Sequence, residues 1–170
     1  MIHVTNGDAA VAAIAATGVS GTIVPWRDVL HEGPVPAGLS EPELREVRAR
    51  FLAAQGWGSY VLLLDDLDRR DGAVACAGDH DEAVLWFEDD LYDQLQLLQV
   101  VDTLGRLPVR GPRLTLVAVV GALASMDAAA LGGAFARRVE LTPAHLALAS
   151  RAWGAFRSPD PTAIEDVIAD

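Results

Sequence analysis

The chain has 170 residues, 51% of them apolar and 22% charged, with a formal net charge of −11. That is enough for one domain with a substantial core and short for two; the apolar share argues against disorder, and the negative charge argues against a nucleic-acid partner, whose phosphates draw on clustered Lys and Arg. The lone cysteine, Cys76, cannot close an intrachain disulfide, no Cys/His spacing matches a zinc site, and no apolar run reaches the ~18 residues of a membrane span, so the sequence reads as soluble, cytoplasmic and without a membrane partner.

Ile2 to Thr5 reads as a strand, Asn6-Gly7-Asp8 as a tight turn, and the alanine-rich run that follows as a helix closed by Gly18. Asp8 falls at or beside the helix N-terminus, where a carboxylate meets the positive end of the dipole; beside that capping role stands a second reading, in which Gly7 lets the backbone approach a phosphate or ribose. Gly21 to Val24 reads as a second strand, completing a βαβ start. The connection Pro25 to Gly38 is broken by prolines and glycines, yet it carries Trp26, Arg27, Asp28, His31 and Glu32 within seven residues. Such a loop is either a site or a well-packed scaffold. Ser40 and Glu43 form a capping box with Pro42 in the first turn, and the helix they open runs toward Gln55. The segment from Ser59 to Gly72 is ambiguous over its first six residues and reads as helix because it outlasts an ordinary strand.

The chain is organised around Ala83 to Gly105. An apolar run through Trp86 and Phe87 reads as a buried strand, meets Glu88, Asp89 and Asp90, and continues as a helix burying Leu91, Leu95, Leu98, Val101 and Leu104, with Asp93, Gln96, Gln99 and Thr103 nearer water. Asp90 and Asp93 have a helix N-terminus to serve, whereas Glu88 does not. Arg113 to Val120 reads as a further buried strand and the rest as helices, opened by Asp127, by Thr142-Pro143 and by Pro161-Thr162. The last of these is barely begun at Asp170, which reads as a fragment cut from a longer protein. The arginines at 45, 48 and 50, and at 106, 110 and 113, read as solvated faces or as holders of a small anion.

If the strands are parallel with right-handed crossovers, every turn that follows a strand lies on one sheet edge. That edge then gathers Asn6, Gly7, Asp8, Trp26, Arg27, Asp28, Glu88 and Asp90 as ligand-binding candidates. His31 and Glu88 are the candidates for acid/base chemistry, with a hydrogen-bonded structural histidine as the alternative for His31. Several acids in one cleft repel, so one keeps its proton, or Arg27 pairs with one, or a Mg²⁺ or Mn²⁺ ion binds; no ligand spacing demands a metal or another cofactor.

His3 to Asp8 (HVTNGD), Pro25 to Pro36 (PWRDVLHEGPVP) and Leu85 to Gln99 (LWFEDDLYDQLQLLQ), with TPAHLALASRAWGAFRSPDPTAIE near the end, resemble a bacterial family known as domain of unknown function eighteen thirty-five. The resemblance implies a bacterial protein and no established activity. Where members commonly carry a histidine this chain has Asp89, which takes position 89 out of any shared essential role. Relatives that continue into a small helical domain fit the abrupt end at Asp170.

The fold expected is a three-layer α/β domain with a mostly parallel, four- or five-stranded, Rossmann-like sheet over residues 1–121, and a helical extension over 122–170 packed on the same domain. The function expected is binding of a small polar or phosphorylated ligand, a nucleotide among the options, at the C-terminal strand edge. The alternative is a non-catalytic module that engages a protein partner.

Overall fold

The computed structural model describes residues 1–107 and 111–169; Arg110 lies outside them. Five strands form one sheet in the order β2-β1-β3-β4-β5, namely β1 (Ile2–Thr5), β2 (Thr22–Pro25), β3 (Glu82–Glu88), β4 (Arg113–Val119) and β5 (Val139–Glu140). The first four are parallel and β5 runs antiparallel to β4. The helices are α1 (Asp8–Ala16), α2 (Glu41–Ala54), α3 (Tyr60–Ala75), α4 (Leu91–Gly105), α5 (Ala128–Ala136), α6 (Pro143–Phe156) and α7 (Ala163–Ala169).

The layering follows from chain direction. From β1 the chain steps one way across the sheet to β2, then returns past β1 to β3, so two right-handed crossovers place their helices on opposite faces. Ile14 of α1 and Leu131 of α5 pack with Trp86 on one face, while Val74 of α3, Val100 of α4 and Ala149 of α6 pack with Phe87 on the other. Trp86 and Phe87, adjacent in sequence, are both fully buried, as the period-2 alternation of a central parallel strand requires. The three-layer α/β architecture with a mostly parallel sheet is therefore the fold of this chain.

Four local expectations change. Leu91, expected in the buried stripe of α4, is exposed at the start of that helix. The region after residue 121 is not wholly helical, because Val139–Glu140 adds a fifth strand too short to leave a periodic signal. Asp93, Gln96 and Gln99 are buried rather than solvated, because each answers a polar group on a neighbouring element: Gln99 Oε1 accepts from Trp26 Nε1 at 2.9 Å, and Gln96 Nε2 donates to the Asp28 carbonyl at 2.6 Å. Arg48 is neither a solvated arginine nor an anion holder. It is 1% exposed, its Nε and Nη2 donate to Asp28 Oδ1 at 3.0 and 2.7 Å, and it also donates to the carbonyls of Val29, Glu32 and Pro34. One guanidinium thus organises the proline-rich connection after β2.

Candidate functional site

In the strand order found, the connections from β1 and β3 leave toward opposite faces, which opens a crevice beyond the carboxyl ends of these neighbouring strands. Gly7 sits there at φ +143°, a backbone conformation that side-chain-bearing residues rarely adopt, and serves as the N-cap of α1. Asp8 is therefore the first helical residue. Its carboxylate takes no backbone cap and instead faces Arg27, which donates through Nε and Nη2 to the two oxygens at 2.8 and 2.7 Å. Arg27 also reaches Asp66 on α3 through Nη1 at 2.6 Å, joining the first helix to the layer on the other face. The Asp8 carboxyl is held below the ordinary range by its Arg27 hydrogen bonds, and the same bonds raise the guanidinium.

Around this ion triad lies a cavity of about 480 Å³. Asn6, Gly7, Asp8, Arg27 and Asp66 line its polar end, and Val29, Leu52, Trp57, Leu63, Leu67 and Tyr92 its apolar wall. The size falls within the range of small-molecule sites. Trp57 is 60% exposed, on the turn between α2 and α3, next to Gly56 with its left-handed φ of +82°. Burial raises the Tyr92 phenol, whose hydroxyl stands 3.5 Å from the Asn6 carbonyl.

Of the residues singled out in the sequence, Asn6, Gly7, Asp8, Arg27 and Asp28 line this cavity, although the Asp28 carboxylate is turned away into Arg48. Trp26 does not reach it. The indole is buried in the core, bonded to Gln99 and covered by the Arg70 guanidinium 3.8 Å from its ring. Glu88 also lies outside the lining, and Arg27 is not its partner; its carboxylate accepts from the Leu123 backbone N–H at 2.8 Å, fastening the segment after β4. His31 lines a separate open groove with Pro34, Gly38 and Arg157, where its ring meets Tyr92 edge-on at 5.7 Å.

Glu88, Asp90 and Asp93 bring carboxylate oxygens within 4.8 Å of one another. Each already serves the fold. Glu88 holds Leu123; Asp90, the N-cap of α4, accepts from Asp93 N–H at 2.9 Å; and Asp93 accepts from Asn6 and from Glu88 N–H. Asp90 is thereby a helix cap outside the cavity. Asp93 is fully buried, and desolvation pushes its carboxyl up to about 6.

Sequence reasoning missed Trp57, Asp66 and Tyr92. A tryptophan between two glycines was a usable signal for the first, whereas Asp66 and Tyr92 sit in helices whose pattern shows only which face is apolar. Among the described residues, the cavity lining contains no serine, cysteine or histidine, so what it offers a ligand is carboxylate acceptors, one guanidinium and an aromatic wall. Among the described residues, no helix is long and apolar enough to cross a membrane. No family model matches the chain, and neither a curated protein nor a solved structure matches it.

Proposed function

We propose that this protein binds a small polar ligand in the cavity between α1 and the α2–α3 pair. The observation that carries the reading is the meeting, in one 480 Å³ space, of an ion triad from three separate elements with an exposed tryptophan and a half-buried tyrosine. Trp57 is exposed together with Val61 and Leu62, close to it in sequence, and clustered rather than single exposed apolar side chains are what mark interaction sites. Three of the four stretches that carry the family resemblance supply part of the lining, through Asn6 to Asp8, Arg27 to Val29 and Tyr92.

A thermal-shift screen of small polar compounds tests this. A ligand at a hundred times its Kd adds ~2.7 kcal/mol of stability. The same compounds should leave Leu63→Trp unshifted, because the larger side chain fills the apolar half of the cavity. Hits that shift the parent and Leu63→Trp alike bind elsewhere and contradict the reading.

The exposed Val61 and Leu62 beside Trp57 favour a second reading, a protein partner seated on this rim. Under that reading Val61→Ser with Leu62→Ser abolishes complex formation and leaves small-molecule shifts intact.

A further inference from the structure

We propose that the ligand is an uncharged nucleoside, with its ribose diol on Asp8 and Asp66 and its base against Trp57, and that the cavity discriminates against the corresponding triphosphate. The inference rests on the cavity being a ligand site and adds its chemical class.

The polar end offers acceptors beside a few donors. Arg27 spends three of its five N–H groups on carboxylates, Nε and Nη2 on Asp8 and Nη1 on Asp66, which leaves one N–H on each Nη. The Asn6 amide nitrogen spends one of its two on Asp93. Beside these stands acceptor capacity, since an ionised carboxylate offers about four lone-pair positions and Asp8 uses two of its own on Arg27. A ligand matched to that end both donates to the carboxylates and accepts from the guanidinium, as a pair of adjacent hydroxyl groups does.

Charge points the same way. Two carboxylates, Asp8 and Asp66, face one guanidinium, and the third acid of the lining, Asp28, is neutralised behind the wall by Arg48. A triphosphate would enter this net negative end of a protein whose overall charge is −11, where Arg27 is the one cation among the lining residues and the nearby Arg69, 3.9 Å from Asp66, already pairs with Asp65. These features select against polyanions and leave hydroxyl donors favoured.

The opposite wall asks for a flat apolar body. Leu52, Leu63 and Leu67 form a floor, and Trp57 stands at its edge with its ring largely in water. A stacked base removes that ring from water, a contact that tolerates any base. A free sugar would leave the aromatic wall unused, and a simple aromatic compound would leave the carboxylates without donors.

The experiment is a fluorescence titration of the whole chain with adenosine, guanosine, cytidine and uridine, their 2′-deoxy forms and their 5′-triphosphates. Trp26, Trp86 and Trp153 are buried, so a change in exposed-indole emission reports Trp57. The result expected is saturable quenching by at least one ribonucleoside, about ten-fold weaker binding of its 2′-deoxy form, and about ten-fold weaker binding of its triphosphate. Trp57→Ala, at an exposed position, should melt like the parent and bind that nucleoside at least about ten-fold more weakly by calorimetry. Tighter binding of the triphosphate, or equal binding of ribose and deoxyribose forms, overturns the inference. So does the absence of nucleoside binding: if another compound class then shifts the parent and not Leu63→Trp, only the nucleoside assignment falls, and if nothing does, the ligand site falls with it.

Discussion

Asn6 donates its side-chain amide to Asp93 Oδ1 at 2.8 Å, across 87 positions of sequence. The other oxygen of the same carboxylate accepts from the Glu88 backbone N–H at 2.5 Å. One buried side chain therefore ties the end of β1 to the end of β3 at the crevice between them, setting the position of the turn on which Gly7 and Asp8 are carried.

That arrangement predicts a specific pH dependence. Burial, aided by the nearby charges of Glu88 and Asp90, outweighs the bonds from Glu88 N–H and Asn6 and pushes the Asp93 carboxyl from 3.8 up to about 6. The folded state thus holds this proton more tightly than the unfolded chain. Its stabilising effect is complete below the unfolded value and is withdrawn as pH rises through about 6, a change on the order of 1–3 kcal/mol. Asp93→Asn cannot titrate. Urea melts across this range should show the stability of the parent, relative to Asp93→Asn, falling as pH rises; a constant difference would contradict the assignment.

Glu82 has the opposite sign. Arg138 and then Thr115 and Arg113 hold its carboxyl down from 4.5 to about 2, so its contribution is present above the unfolded value and lost as pH falls through the folded one. Glu82→Gln is expected to cost about 3 kcal/mol at neutral pH by leaving a partly buried Arg138 without its partner. In acid melts the gap between parent and variant should close; a gap independent of pH would show that the pairing is not what stabilises this end of the sheet.

The fold was largely legible because parallel strands and amphipathic helices leave periodic traces. β1, β3 and β4, and the capped starts of α2, α4, α5 and α6, could all be read from local residues. What escaped were interactions closed only in three dimensions. Gln96 and Gln99 look like solvated positions of a helix until Asp28 and Trp26 arrive as their partners, and Arg48 looks like a surface arginine until the loop after β2 folds over it. The turn residues Asn6 to Asp8 and Arg27 were found because strand direction alone collects them on one edge. Trp57 and Asp66 were not, since they reach that edge through the packing of α2 on α3, which periodicity does not encode. Glu88 and Trp26 show the converse: placement at a strand end does not decide whether a side chain faces a ligand or fastens the fold.

Arg48 gives a test of the loop that carries Arg27. Arg48→Met removes the fork that satisfies Asp28 and three carbonyl groups, leaving a buried carboxylate without its counter-charge, and should cost about 3–5 kcal/mol. Arg48→Lys should recover only part of this, because an ammonium group cannot reproduce the bidentate geometry. Chemical denaturation measures both. Full recovery by lysine would show that charge alone, and not the fork, holds the loop.

The most direct test of the ligand site is backbone amide shift mapping with the strongest thermal-shift hit. The account predicts the largest changes at Gly7, Arg27, Trp57, Asp66 and Tyr92, residues far apart in sequence that line one cavity. Changes centred on His31, Gly38 and Arg157, which line the separate groove beside α6, with the cavity residues unmoved, would contradict it.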